Sequence, residues 1–484
     1  MTIDSIRLRI EGSRLRCAEV VGVARRTAGL ELDHKALERA GHAYEVARDS
    51  ETKRAVYGRT TGVGANRHEV VDPHTADQHG LRLLRSHAGT TGEISDEDLV
   101  RATLVIRLNQ LAAAGSGVHP RLLTALATAL RVGAVPVTHT RGSIGTGDLG
   151  QLAEIALTLA GERPWGSGRV APIPISPGDA LAFISSNAAT LARSVLAWSD
   201  LRTLLHASHV VTALSYCALG GSPEAFAARV HAQRPHPGSV RCASEMRRLL
   251  WADEPPAPGR RLQDPFGLRA FPQVQGPALE AADTLETALE VDINAAAENP
   301  FIDVETGEVY HHGHFATSHL ALDLDHLRAA VHHVAELSTA RLSDLVEPDL
   351  SGLPPFLADG PAGSSGIMIL EYTAHDALSQ MRHAAAPVTL GTAVISRGLE
   401  DHASFSTQAA HATTAAIASY RTVLACELIG AVRALTMSGA RLPAAPVREA
   451  LRLAQSTLPL IREDHPLTEE ITVAEGLLTA LADL

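Results

Sequence analysis

Lysine is almost absent from this sequence. Of its 42 basic residues, only Lys35 and Lys53 are lysines. A pyridoxal enzyme needs a lysine to hold its cofactor as a Schiff base. Lys35 stands in a polar helical pattern and Lys53 beside Arg54. Both read as surface residues, which disfavours pyridoxal chemistry, and no external cofactor is expected. Aromatic residues are also scarce, at 4% of 484 residues. With alanine and leucine abundant, that balance favours helices over strands, because Ala and Leu lose little side-chain freedom in a helix. The four cysteines, Cys17, Cys217, Cys242 and Cys426, are scattered and form no CxxC pair. A reducing compartment is the simplest reading, and the expected location is cytoplasmic. The first ten residues alternate charged and apolar side chains and lack the apolar stretch of a secretory signal. No uninterrupted apolar run reaches the length of a membrane helix, so no membrane partner is expected. No basic stretch interleaves with aromatics and the formal net charge is −12, so nucleic acid is not an expected partner.

What is present is a globular balance, 45% apolar and 20% charged. Residues 33–48 are amphipathic with a helical period. Ser95, with Asp98 three residues on, signals a capping box before a helix over 99–114. Further helical runs cover 119–132 and 148–160, on either side of a glycine-rich turn at 141–147. A Pro/Gly-rich stretch at 163–178 is the best compositional boundary, dividing the chain into 1–178 and 179–484. The second part holds long helical runs at 180–219, 277–297, 319–345, 365–385 and 402–439. Runs of this length predict an all-α bundle of helices packed side by side. Functional residues are then expected on the connecting loops, held by the rigid bundle.

Four separated segments carry a family resemblance. They are Tyr57-Gly58-Arg59-Thr60-Thr61-Gly62-Val63-Gly64; Ser86-His87-Ala88 with Gly115-Ser116-Gly117; Gln263-Asp264-Pro265-Phe266-Gly267-Leu268-Arg269; and Glu400-Asp401-His402. Asn299-Pro300 and Ser351-Gly352-Leu353-Pro354 support them. In this order and spacing, the chain resembles the histidine, phenylalanine and tyrosine ammonia-lyases and aminomutases. The resemblance implies a long-helix homotetramer of the ammonia-lyase/aspartase-like type, with active sites drawn from three subunits. In the arrangement it implies, the Tyr57 and Glu400 loops lie apart within one chain. Family members build a methylidene-imidazolone from their own Ala-Ser-Gly tripeptide and use it to eliminate ammonia from an amino acid.

By the same resemblance Tyr57 matches the catalytic base, which requires a pKa well below the usual value of about 10. A packed tyrosine with a satisfied hydroxyl is the alternative. Arg269 matches the anchor for the substrate carboxylate, since its fork suits bidentate binding; an ordinary ion pair is the alternative. Glu400 matches a carboxylate that takes a proton or holds an amine, or else is merely a charge before a helix. His87 matches a side-chain contact to substrate, with a core histidine as the competing reading. Gln263, Ser185 and Phe266 fall at substrate-binding positions.

The departures from the family pattern cluster around the electrophile. The loop reads Gly142-Ser143-Ile144-Gly145-Thr146-Gly147-Asp148-Leu149, one residue short of the family's. Only Gly145-Thr146-Gly147 is in register. Dehydrating Thr146 would give a bulkier, less electrophilic ethylidene. Without an electrophile, Thr146→Ala is expected to be nearly silent. Ser185 replaces an Asn, Phe266 a Tyr, Leu399 a Gln, and His312-Gly313-His314-Phe315 a Gly-Gly-Asn-Phe. His314 is a candidate acid–base group because imidazole titrates near neutrality. His311, His312, His314 and His319 lack a carboxylate or Cys with firm ligand spacing, so no metal is expected.

Three readings follow. One is a lyase with an unusual imidazolone made from Gly145, Thr146 and Gly147. The favoured one is a lyase-family enzyme acting on an amino acid or amino-acid-derived carboxylate, with Tyr57 as base, Arg269 as anchor and no standard imidazolone. Isomerisation or cyclisation on the same scaffold stands beside it. The third is a non-catalytic homologue that partners another subunit.

Overall fold

The computed structural model describes residues 7–72, 74–251, 258–459, 461 and 463–484. In chain order the helices used below are α1 (His34–Lys53), α2 (Ala76–His87), α3 (Glu97–Ala112), α4 (Arg121–Val132), α5 (Leu149–Leu159), α6 (Asp179–Ile184), α7 (Ala188–Leu219), α8 (Phe271–Asp292), α9 (Ser318–Val346), α10 (Met368–Ala384) and α11 (Ser406–Ser438). Strands among the described residues are confined to two-stranded ribbons. The expected all-α, long-helix architecture is what the chain adopts.

The contacts divide the chain into two compact units. The first holds residues 1–199, 285–324 and 387–411; the second holds 200–284, 325–386 and 412–484. The compositional break at 163–178 falls inside the first unit. So does the Glu400 loop, which therefore shares a unit with Tyr57.

In the first unit α3 is the central core element. Every residue from Leu99 to Ala112 is buried, the polar ones included. Such a helix has no solvent face and little amphipathicity. Its polar side chains are all spent on partners. Arg107 pairs with buried Glu298 (2.7 Å) and donates to the carbonyls of Phe183 (2.8 Å) and Ala182 (2.6 Å). This clamps the end of α6. Asn109 donates to the Ile293 carbonyl (3.0 Å). At the start of α3, Asp96 occupies the cap position without a side-chain cap bond, so the capping box expected from Ser95 and Asp98 does not form.

The helix expected over 180–219 is broken between α6 and α7. Ser186 Oγ accepts from Ala188 N–H (3.0 Å), and the Asn187 amide is taken by other loops. Short polar side chains that bond the backbone locally compete with helix continuation. The buried Asp148 carboxylate then meets the first turn of α7, accepting from Thr190 N–H (2.7 Å) and Thr190 Oγ (2.8 Å). A carboxylate there also suits the helix dipole.

In the second unit the core is built around one ion pair. Arg341 of α9 holds Glu427 of α11 bidentately, at 2.6 and 2.7 Å, with both side chains fully buried. Ser215 and Ser338 donate to the same carboxylate at 2.7 and 2.6 Å. By length and hydropathy α6–α7 (179–219) and α11 could each cross a membrane, but 83% and 72% of their apolar windows are buried inside the protein. They are core helices.

Candidate active site

The Tyr57 loop follows α1 and is fixed by the residue two places on. Arg59 is buried, pairs with Glu51 (2.5 Å) and donates to the Gly178 carbonyl (3.0 Å). The loop then turns so that Gly64 N–H donates to Tyr57 Oη at 2.6 Å. Gly64 has φ +58°, and a Cβ there would lie 2.5 Å from Ser396 Oγ. Glycine is required for that approach. Ser396 Oγ also accepts from Ala65 N–H (3.0 Å). The loop bearing Glu400 therefore sits against the loop bearing Tyr57 within a single chain. The expectation that the two loops lie apart in one chain is overturned.

Four of the sequence-predicted residues converge here. Glu400 is half-buried, and burial pushes its pKa above the usual carboxylate range. Thr146 and nearby His87 pull the other way. His87 ends α2 with Nδ1 bonded to the Leu83 carbonyl (2.8 Å). Tyr57 is pushed above its ordinary value by burial, then by the Glu400 carboxylate. Gly64 N–H and Arg67 oppose this without reversing it. In the isolated chain Tyr57 is therefore a phenol, and the low pKa required of a base is not met by the protein's own charges.

An imidazolone in this chain would have to form from Gly145-Thr146-Gly147. Ring closure needs Gly147 N to attack the Gly145 carbonyl. Gly147 N–H instead donates to Asn187 Oδ1 (3.1 Å), and the Gly145 carbonyl accepts from Ser404 Oγ (3.1 Å). Gly145 has φ +85°, and a Cβ on it would lie 2.1 Å from Ser404 Oγ and 2.9 Å from Ser406 N. The family's alanine does not fit there. These residues do not fit a standard methylidene-imidazolone.

The remaining candidates fall elsewhere. Ser185 is buried at the end of α6, its Oγ accepting from Asn299 N–H (3.0 Å). His314 is exposed and its ring lies tilted against that of His312, with centroids 4.9 Å apart. The imidazole brought to Tyr57 is His311, whose Nε2 accepts from Tyr57 N–H (3.4 Å) and whose ring sits edge-on to it (6.4 Å). No cluster of three His, Cys, Asp or Glu among the described residues could hold a metal ion. Arg269, Phe266 and Gln263 belong to the second unit. There Arg269 Nε donates to the Asp264 carbonyl (3.0 Å), and the guanidinium lies over the Phe266 ring at 4.5 Å. No carboxylate pairs with it among the described residues, so the ordinary ion-pair reading is not realised.

Sequence reasoning missed Asn187 and Ser404, which hold the loop at Gly147 and Gly145, and His311. The polar run Ser185-Ser186-Asn187 between two apolar helices was the available signal for the first.

The chain is similar to known proteins over nearly its whole length. A family model described as "Aromatic amino acid lyase" matches residues 15–456. Histidine ammonia-lyase of Symbiobacterium thermophilum is 34% identical, over 96% of each chain. Tyrosine aminomutase of Streptomyces globisporus superposes with a TM-score of 0.92 at 25% identity, covering 98% of this chain and 97% of that one. Ergothionase of Treponema denticola shares the fold, with a TM-score of 0.93 at 24% identity over 99% and 100% of the two chains. With the family model matched over residues 15–456 and a 34% identical relative matched nearly end to end, this chain belongs to the aromatic amino acid lyase family.

Proposed function

We propose that the protein is a carbon–nitrogen lyase-like enzyme acting on an amino acid or amino-acid-derived carboxylate without a self-made imidazolone. The observation that carries this reading is the Gly145-Thr146-Gly147 loop. Its carbonyl and amide are already bonded, and it has no room for alanine. Arg269 would orient the substrate carboxylate through its unpaired fork. Glu400 and His87 would meet the nitrogen that leaves or moves. Tyr57 would take the acidic proton. Its pKa must fall for this, and a cationic substrate nitrogen placed beside Glu400 and Tyr57 would lower it. Substrate binding would then complete the base.

Lacking the electrophile, the enzyme needs a leaving group better than an unactivated amine, or a reaction that keeps the nitrogen. The similarity to tyrosine aminomutase supports keeping isomerisation, with cyclisation, beside elimination. We further propose the homotetramer. Leu390 (86% exposed) and Val394 (68%) precede Glu400, and Leu262 (96%) precedes Arg269. Apolar side chains left bare beside functional loops suit burial by further copies of the chain.

The test is turnover of aromatic amino acids and their N-substituted derivatives before and after borohydride, which reduces an exposed methylidene. Activity that survives borohydride supports the proposal. Activity on unmodified amino acids that borohydride abolishes would overturn it.

A further inference from the structure

Tyr57 is held at both ends. Its hydroxyl accepts from Gly64 N–H (2.6 Å), and its backbone N–H donates to His311 Nε2 (3.4 Å). No other group among the described residues accepts that N–H. The two segments meet on a small apolar platform. Val56, one residue before Tyr57, is buried with Ala47 of α1 and with Ile302 and Val309 of the two-stranded ribbon Phe301–Ile302 and Val309–Tyr310. His311 is the residue that follows the ribbon. Arg54 Nη1 donates to the Val309 carbonyl (3.3 Å), a second tie between the segments. The loop beyond is braced as well: His312 N–H donates to Asn299 Oδ1 (3.1 Å), and Asn299 N–H to Ser185 Oγ (3.0 Å). Packed backbone on both sides therefore delivers the imidazole to Tyr57, edge-on to its ring with centroids 6.4 Å apart.

We infer that His311 is a positioning residue: its neutral imidazole fixes the backbone of Tyr57 by accepting its N–H, and protonation of the ring releases it. An imidazole nitrogen accepts only through a lone pair, and an imidazolium has none to give. The proton of the neutral ring must then sit on Nδ1. The groups that face His311 are Arg54 and Tyr57 from the segment after α1, and His312 from its own loop. No carboxylate pairs with it among the described residues. Burial, and then the Arg54 charge, hold its pKa below the ordinary histidine value, so the ring stays neutral at neutral pH. The inference rests on the reading of Tyr57 as the base, because only then does its placement set a rate.

Two exchange measurements on the whole protein test this without substrate. Deuterium exchange at histidine C2, read by mass spectrometry, gives the protonation midpoint of His311. Amide exchange at Tyr57, corrected for its intrinsic pH dependence, gives the protection of the bonded N–H. Protection should fall by about fivefold as pH drops through the His311 midpoint, as the loss of one ordinary hydrogen bond gives. His311→Leu removes the acceptor and should lack that protection at every pH. His311→Gln offers an acceptor that does not titrate, and should keep protection in acid. Wild-type protection that ignores the His311 midpoint would overturn the inference, as would a His311→Gln variant that loses protection in acid as the wild type does. Turnover separates this inference from the reading beneath it. In wild type kcat should fall through the same midpoint with KM little changed, and that acid limb should be missing from His311→Gln; a limb unchanged in the variant counts against the inference. If Tyr57→Phe is fully active, the base reading has failed and His311 positions a residue without chemistry. If Tyr57→Phe is inactive and protection ignores His311, the positioning role alone has failed.

Discussion

Two carboxylates, one in each compact unit, show opposite treatments of a buried charge. Glu427 is fully buried, and both its oxygens are taken, by the Arg341 fork and by the hydroxyls of Ser215 and Ser338. Glu400 is half-buried and is pushed toward its protonated form by burial. A saturated carboxylate has nothing left to offer a ligand, and removing a partner leaves a bare ion in a low-dielectric core. An under-satisfied carboxylate beside a tyrosine and a histidine keeps lone pairs open for a proton or a cation. The first arrangement is about holding helices together; the second is about chemistry.

The contrast can be broken by substitution. Glu427→Gln should have the largest effect on folding, because it strands Arg341 as an uncompensated buried cation, at a cost of about 3–5 kcal/mol. Glu400→Gln should leave the melting temperature near wild type. If thermal melts show the two variants equally destabilised, the distinction between them is lost. Tyr57→Phe keeps the ring volume and should lower turnover by roughly 10²–10⁴-fold without changing the melt. Full activity in this variant would remove Tyr57 from the mechanism.

A pH experiment sharpens the same comparison. His209, in the second unit, is buried, with Nδ1 bonded to the Leu205 carbonyl (2.8 Å), and burial lowers its pKa to about 4. The unfolded chain, titrating near 6.5, binds a proton that the folded chain refuses. Stability should therefore rise with pH between about 4 and 6.5, with on the order of 3 kcal/mol lost on acidification through that window. Urea midpoints at fixed protein concentration measure it, and His209→Gln should flatten the dependence. An unchanged slope in that variant would place the acid sensitivity elsewhere. The smallest effect is expected for Arg269→Lys. It keeps the charge but loses the fork, and should weaken substrate binding by about tenfold, seen in KM. Wild-type KM in this variant would argue against a bidentate anchor.

Much of this was readable before any coordinates. Helical periodicity located the helices expected at 319–345, 365–385 and 402–439 within four residues, but began the one at Phe271–Asp292 six residues late and missed the break inside 180–219. What escaped has physical reasons. Ser185-Ser186-Asn187 could have continued a helix; only the tertiary bonds to Gly147 and Phe315 make it a break. His311 and His314 differ by three residues in a loop with no period, so sequence could not say which imidazole meets Tyr57. The pairing of the Tyr57 and Glu400 loops joins segments more than 300 residues apart through Ser396, an unremarked serine.

The central claim is that this family member works without the self-made electrophile. Intact mass of the purified active protein tests it most directly. The account predicts the encoded mass with Thr146 unmodified. A protein lighter by two water molecules, with the deficit in the peptide that contains Gly145-Thr146-Gly147, would contradict it.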